Sequence, residues 1–148
     1  MKSWDVIVIG SGAAGFAAAV TACCKGLSVL MLEKAPQFGG TSAISGGAVW
    51  IHDSDQARTM TTDDSQQAIK TYLRTIIGEP NYRQDLIEAF ISSGREALAF
   101  LEKEGAVKYS LRPLSPDYYP DEPGAVDVGR ALEVVEFDGR KLGEHFRD

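Results

Sequence analysis

Two glycine groups and one carboxylate are the residues here whose type and spacing point to chemistry. Gly10, Ser11, Gly12, Ala13, Ala14 and Gly15 spell G-x-G-x-x-G. In such a turn the first glycine permits a tight reversal, the second lets backbone approach a pyrophosphate, and the third allows close helix–strand contact. A helix starting there offers unpaired N–H groups and a positive dipole end to phosphates. Glu33 follows 18 positions after Gly15. A carboxylate at that place accepts hydrogen bonds from both hydroxyls of an adenosine ribose and disfavours a 2′-phosphate. The second group, Gly39 to Gly47, holds four glycines and the hydroxyls of Thr41, Ser42 and Ser45. Its bare, donor-rich backbone suits phosphate and a flat ring better than a free surface loop, because the apolar Val49-Trp50-Ile51 follows at once.

These residues need elements to hold them. Val6 to Ile9 is a β-branched run suited to a strand buried on both faces of a parallel sheet. Ala13 to Lys25 reads as a helix of small residues with Gly26 at C′, and Ser28 to Leu32 as a second strand, closing a β-α-β unit. His52 to Asp64 is polar and is expected to be an exposed connection. Thr62 or Asp63 is a cap for a helix to about Ile77, with Ile69, Tyr72 and Leu73 on its apolar face. Asn81 is a cap for a following apolar stripe, read as two helices or one broken near Ser92 to Gly94. Val107 to Leu111 and Ala131 to Phe137 read as short strands. Between them Pro113, Pro116, Pro120 and Pro123 punctuate a loop carrying Tyr118 and Tyr119. Leu142 to Asp148 resembles the opening of a helix.

The chain has 148 residues, 44% hydrophobic, and no apolar run near the ~20 residues of a membrane span. Its start lacks the basic region and cleavage site of a signal peptide, so a cytoplasmic location is expected. The net charge of −6 is concentrated after residue 52, which argues against a nucleic-acid partner. Cys23 and Cys24 are adjacent on the first helix and read as small packing residues, not a redox pair. No metal-ligating set is read.

Glu33, five residues, then Gly39-Gly40 resembles the FAD-binding flavoproteins of the fumarate reductase and succinate dehydrogenase superfamily. Within it, Gly39 to Ile51, Asp117-Tyr118-Tyr119-Pro120 and Gly129-Arg130 are similar to the N-terminal part of 3-ketosteroid Δ1-dehydrogenase-type flavoproteins. The resemblance implies an α/β fold: a Rossmann-like FAD-binding β-α-β unit followed by helices, with an incomplete parallel sheet. It implies FAD, not NAD, as cofactor. The cofactor-binding set it implies is Gly10, Ser11, Gly12, Ala13, Ala14, Gly15, Glu33, Lys34, Gly39, Gly40, Thr41, Ser42, Ser45, Gly46 and Gly47.

In that family FAD takes a hydride from ring A of a 3-keto steroid, while tyrosines polarise the ketone and remove a proton. Tyr119 is by resemblance the catalytic tyrosine of this part of the chain, and Tyr118 a packing residue. A free tyrosine has a pKa near 10, so acting as a base near neutrality requires hydrogen-bonded partners. Family members are several times longer, and their later segments complete the FAD site and supply the substrate domain. Residues 1–148 are therefore expected to be the N-terminal portion of an FAD-binding domain: a fragment, a truncated gene product or one piece of a split enzyme. The partners expected are a steroid-like small molecule and a missing C-terminal portion or second chain. The alternatives are a fumarate reductase-like flavoprotein acting on small unsaturated acids, and a non-catalytic remnant.

Overall fold

The computed structural model describes residues 2–60 and 64–147. Two small sheets organise the chain. In the first, β1 (Val6–Ile9) lies parallel to β2 (Val29–Leu32) with Val6 opposite Val29, and α1 (Ala13–Cys24) makes the crossover. The end of α1 follows the glycine expectation. The Gly26 N–H donates to Cys23 O and the Leu27 N–H to Ala22 O, the paired bonds by which a left-handed C′ residue satisfies the last carbonyls.

Two of the strands read from the sequence, within Val107 to Leu111 and Ala131 to Phe137, lie in a second sheet that is antiparallel. β3 (Ala48–Trp50), β5 (Ala131–Val134) and β4 (Tyr109–Leu111) form an antiparallel sheet in the order β3-β5-β4. Leu132, at its centre, is fully buried. Strands of three or four residues carry almost no period of their own, so the sheet is selected by tertiary packing.

Two helices pack beside it: α3 (Gln66–Ile77) and α4 (Gln84–Lys103). Ile69, Tyr72, Leu73 and Ile91 form the core there, with Trp50, Ile77, Tyr82 and Ile87 against it. Ser65 caps α3, its hydroxyl accepting the Ala68 N–H at 3.1 Å. The expected caps Thr62 and Asp63 lie outside the described residues. At α4 the N-cap is Arg83, not Asn81, and the helix is unbroken. Gly94 sits inside it because Ile51 packs there, 3.4 Å from where a Cβ would stand.

Other expectations also change. The segment after β3 is not an exposed connection: His52, Ser54 and Ala57 are buried, the last in a 3-10 turn over Ala57–Thr59. Cys23 and Cys24 are exposed and do not pack as small core residues. The β1–β2 sheet is not covered on both faces, since Ile9 is 85% exposed. Gly139–Arg147 is 3-10 in character, interrupted at Gly143. Among the described residues no helix is long and apolar enough to cross a membrane.

Candidate functional site

The two glycine groups meet. Ser11, buried in the turn after β1, donates its N–H (2.9 Å) and hydroxyl (2.5 Å) to Glu33 Oε2, and its Oγ accepts the Gly39 N–H at 2.9 Å. Glu33 Oε1 accepts the Ala35 N–H. The N–H of Ala35 and the donors of Ser11 hold the Glu33 carboxyl down at a pKa of about 2, so it is ionised at neutral pH. Each carboxylate oxygen has room for about two donors, and Oε1 therefore retains capacity for an external hydroxyl. On the other side of the turn, α2 (Gly40–Ala43) brings Ser42 Oγ to the Ala13 N–H at 3.1 Å. The hydroxyl of a distant segment thus caps α1, whose own N-cap, Gly12, has no side chain.

Gly15 and Gly12 are glycines for different reasons. A Cβ on Gly15 would overlap Gly10 O, so the helix can approach the turn only without one. Gly12 has φ −71°, which any residue adopts, and a Cβ there would meet only Ser42 Oγ, at 3.7 Å. Nothing in the chain's own packing requires a glycine at 12. The open side of Gly12 faces a helix N-terminus with no acidic residue in its first turn, a place that favours an anion. Beside it a cavity of about 360 Å³ opens, lined by Ala13, Phe16, Ser42, Ser45, Val49, Leu101 and Tyr109 among others. Ser45 Oγ donates to Ser42 O and accepts the Gly47 N–H, shaping its rim. Ala14, Lys34, Thr41 and Gly46 are solvent-exposed around this knot.

The tyrosine loop is held elsewhere, by a buried ionic node. Arg130, 1% exposed, donates from Nη1 to Asp117 Oδ2 (2.7 Å), from Nε (2.9 Å) and Nη2 (2.6 Å) to Asp64 Oδ1, and from Nη2 to Gly124 O (3.0 Å). Its guanidinium lies 5.4 Å from the Trp50 ring and 5.5 Å from that of Tyr72. Asp117 also accepts the Trp50 Nε1–H at 2.7 Å and the Val126 N–H at 3.1 Å. His52 Nδ1 and Asp64 Oδ2 are 2.9 Å apart, and neither has another hydrogen-bond partner. Burial opposes ionisation of Asp64, but His52 and Arg130 outweigh it and keep its carboxyl below the usual range. Tyr118 is 96% exposed, against the expectation of packing, and Tyr119 is 58% exposed.

The sequence profile of the FAD binding domain family matches residues 5–148. The chain belongs to that family. FAD is accordingly its cofactor. The chain is 41% identical over 143 residues to a 3-oxosteroid 1-dehydrogenase of Mycobacterium tuberculosis, which covers 97% of this chain and 25% of the relative. It is 44% identical over 132 residues to a 4-oxocyclohexanecarboxylate 2-dehydrogenase of Sinomonas cyclohexanicum, covering 89% of this chain and 23% of that protein. Among solved structures, the 3-ketosteroid delta1-dehydrogenase of Sterolibacterium denitrificans, in complex with 1,4-androstadiene-3,17-dione, superposes with a TM-score of 0.88 at 38% identity. That match covers 99% of this chain and 26% of the solved one. The chain spans about a quarter of the length of these relatives.

For an FAD-binding domain the residues present fit the group. Gly12 leaves a cradle that a Cβ would fill, and Glu33 is an ionised acceptor tied to the same turn. Of the residues singled out from sequence, Gly10, Ser11, Gly12, Ala13, Glu33, Gly39, Gly40 and Ser42 come together in one knot. Tyr119 does not join it and makes its backbone bonds to Tyr72 and Glu122. Sequence reasoning missed Asp64, Tyr72, Asp117 and His52 as a cluster. Arg130 and Asp117 stood in the family-like motifs, yet nothing local marked residues 13 to 66 positions apart as partners.

Proposed function

We propose that this chain supplies the FAD-binding part of an oxidoreductase that dehydrogenates a cyclic ketone, a 3-keto steroid in the first place. The carrying observation is the near-complete superposition of the chain on a solved 3-ketosteroid dehydrogenase. In this reading β1–α1–β2 begins a Rossmann-like sheet. Gly10, Gly12, Ala13, Ala14 and Gly15 receive the pyrophosphate, Glu33 and Lys34 flank the ribose, and Gly39 to Gly47 line the rest. FAD supplies the hydride acceptor. The chain's own residues bind and orient it: Ser11 aims the Glu33 carboxylate, Ser42 closes the start of α1, and the apolar wall of the cavity excludes water. Tyr119 is the catalytic residue this chain contributes, its hydroxyl facing substrate chemistry with groups from the remainder of the enzyme. Residues 1–148 form one domain portion, and alone they are expected to turn over no steroid.

The Sinomonas relative favours a second reading, in which the ring ketone carries a carboxylate instead of a steroid nucleus. Turnover of both substrates by the FAD-loaded full enzyme, with an artificial electron acceptor, separates the two. The cofactor role is tested by glycine substitution. Gly12→Val is expected to fold with an unchanged circular dichroism spectrum and to lose bound flavin, because a Cβ there makes only an ordinary contact with Ser42 Oγ at 3.7 Å and stands in the ligand's approach. Gly15→Val is expected to disturb the fold itself. Unchanged flavin content in Gly12→Val, or preferential binding of NAD by the parent, overturns the assignment.

A further inference from the structure

The loop from Asp117 to Arg130 is attached to the rest of the molecule at both ends and in the middle. Asp117 and Val126 exchange backbone and side-chain bonds: the Asp117 N–H donates to Val126 O at 3.0 Å, and the Val126 N–H donates to Asp117 Oδ2. Arg130 clamps Asp117 and Gly124 O together. Gly124 has φ +82°, and a Cβ there would overlap Ala68 O, so the loop lies directly on the α3 backbone. Within this frame the Tyr119 carbonyl accepts the Glu122 N–H at 3.2 Å, inside the loop, and the Tyr119 N–H is held from α3. The Tyr72 hydroxyl accepts the Tyr119 N–H at 3.3 Å.

Tyr72 is set up for that task. It is 2% exposed, and its ring is 6.1 Å from that of Trp50 and beneath the Arg130 guanidinium. Trp50 ends β3, which follows directly on the glycine segment of the cofactor knot. Burial raises the Tyr72 hydroxyl above its ordinary pKa, so it stays protonated and neutral. A side chain leaves its backbone in a direction fixed by the N–Cα–C frame. Holding the Tyr119 N–H therefore aims its exposed phenol, and effective catalysis depends on such aim.

We propose that Tyr72 is a positioning residue for Tyr119, its buried hydroxyl fixing the backbone from which the Tyr119 phenol projects toward the reaction. The proposal rests on the reading of Tyr119 as the catalytic tyrosine. Tyr72→Phe removes the acceptor while keeping the ring against Trp50 and Arg130.

The test is a double-mutant cycle in the FAD-loaded full enzyme that contains residues 1–148, with 3-keto steroid as substrate. Tyr119→Phe is expected to lower kcat about 100-fold, the low end for a group acting in proton transfer. Tyr72→Phe is expected to keep its flavin content and steroid KM and to lower kcat about 3- to 10-fold, the loss of one neutral hydrogen bond. Its Tyr119 amide is expected to exchange faster while that of Val126 stays protected. In the Tyr119→Phe background, Tyr72→Phe is expected to add nothing to the loss, since the group it aims is gone. A merely structural tyrosine would lower flavin content or cost the same factor in both backgrounds, and either result overturns the proposal. So does a silent Tyr72→Phe beside a damaging Tyr119→Phe, which leaves the Tyr119 reading intact. A silent Tyr119→Phe removes both.

Discussion

The β1–α1–β2 region and the α3–α4–antiparallel region are stabilised in opposite ways. In the first, Val8 and Ser11 are the buried residues, α1 buries none, and Ile7, Ile9 and Leu32 are 57%, 85% and 47% exposed. Hydrogen bonds through Ser11, Glu33, Gly39 and Ser42 hold it in shape. The second has an aromatic and aliphatic core around Ile69 and Tyr72 and, inside it, a fully buried arginine between two carboxylates. One region is an open scaffold of exposed apolar strands tied together by hydrogen bonds. The other is a packed body whose stability comes from within, and it carries the tyrosine loop. A surface rich in backbone donors and small residues can thus be assembled with little core of its own.

The largest expected effect that would sharpen this contrast is at the ionic node. Arg130→Ala leaves Asp64 and Asp117 buried without their cation and is expected to destabilise the second region by about 3–5 kcal/mol, read by denaturant unfolding. A loss under ~1 kcal/mol would show that the node is not what holds the loop. Next, Ile69→Ala empties a fully buried site and is expected to cost about 2–5 kcal/mol. Ile9→Ala, at an exposed site, is expected to stay within about 0.5 kcal/mol. Equal losses for the two would erase the distinction between the regions. The smallest effect is titrational. Glu33 has a folded pKa of about 2 against an ordinary 4.5, so its contribution is complete above 4.5 and fades as pH falls toward 2. Amide exchange at Ser11 and Gly39 is expected to accelerate over that window in the parent and to be fast and pH-flat, after correction for intrinsic rates, in Glu33→Gln.

The β-α-β region was legible because its determinants are local. A β-branched run, glycines at fixed offsets, an Ala-rich helix and Gly26 at its end are neighbours in sequence, and each imposes its own geometry. The knot was half legible: the glycines and Glu33 stood out by type and spacing, but not that Ser11 would join Glu33 to Gly39. In the second region the helices and the strands β4 and β5 were legible, but not how the strands pair. Its strands are too short to show alternation, and Gly94 reads as a break until Ile51 is seen against it. Asp64 reads as part of an exposed connection, and Asp117 and Arg130 only as members of family-like motifs, because their pairing exists only in three dimensions. The helix face Ile69, Tyr72 and Leu73 was readable from its spacing, but the errand of the Tyr72 hydroxyl was not.

The node that fixes the tyrosine loop also sets a time order for the chain. Arg130 reaches Asp64 across 66 positions, and Trp50 reaches Asp117 across 67. Contacts of such separation form only after the intervening chain has given up its loop-closure entropy, so they are expected late on the folding path, after α3 and α4 have met. Interactions absent from the transition state slow unfolding without speeding folding. The arginine therefore acts as a latch on the kinetic lifetime of the folded body. In a chevron comparison, Arg130→Lys is expected to raise the unfolding arm and leave the folding arm near its parent position, and a slowed folding arm would instead place the node in the nucleus.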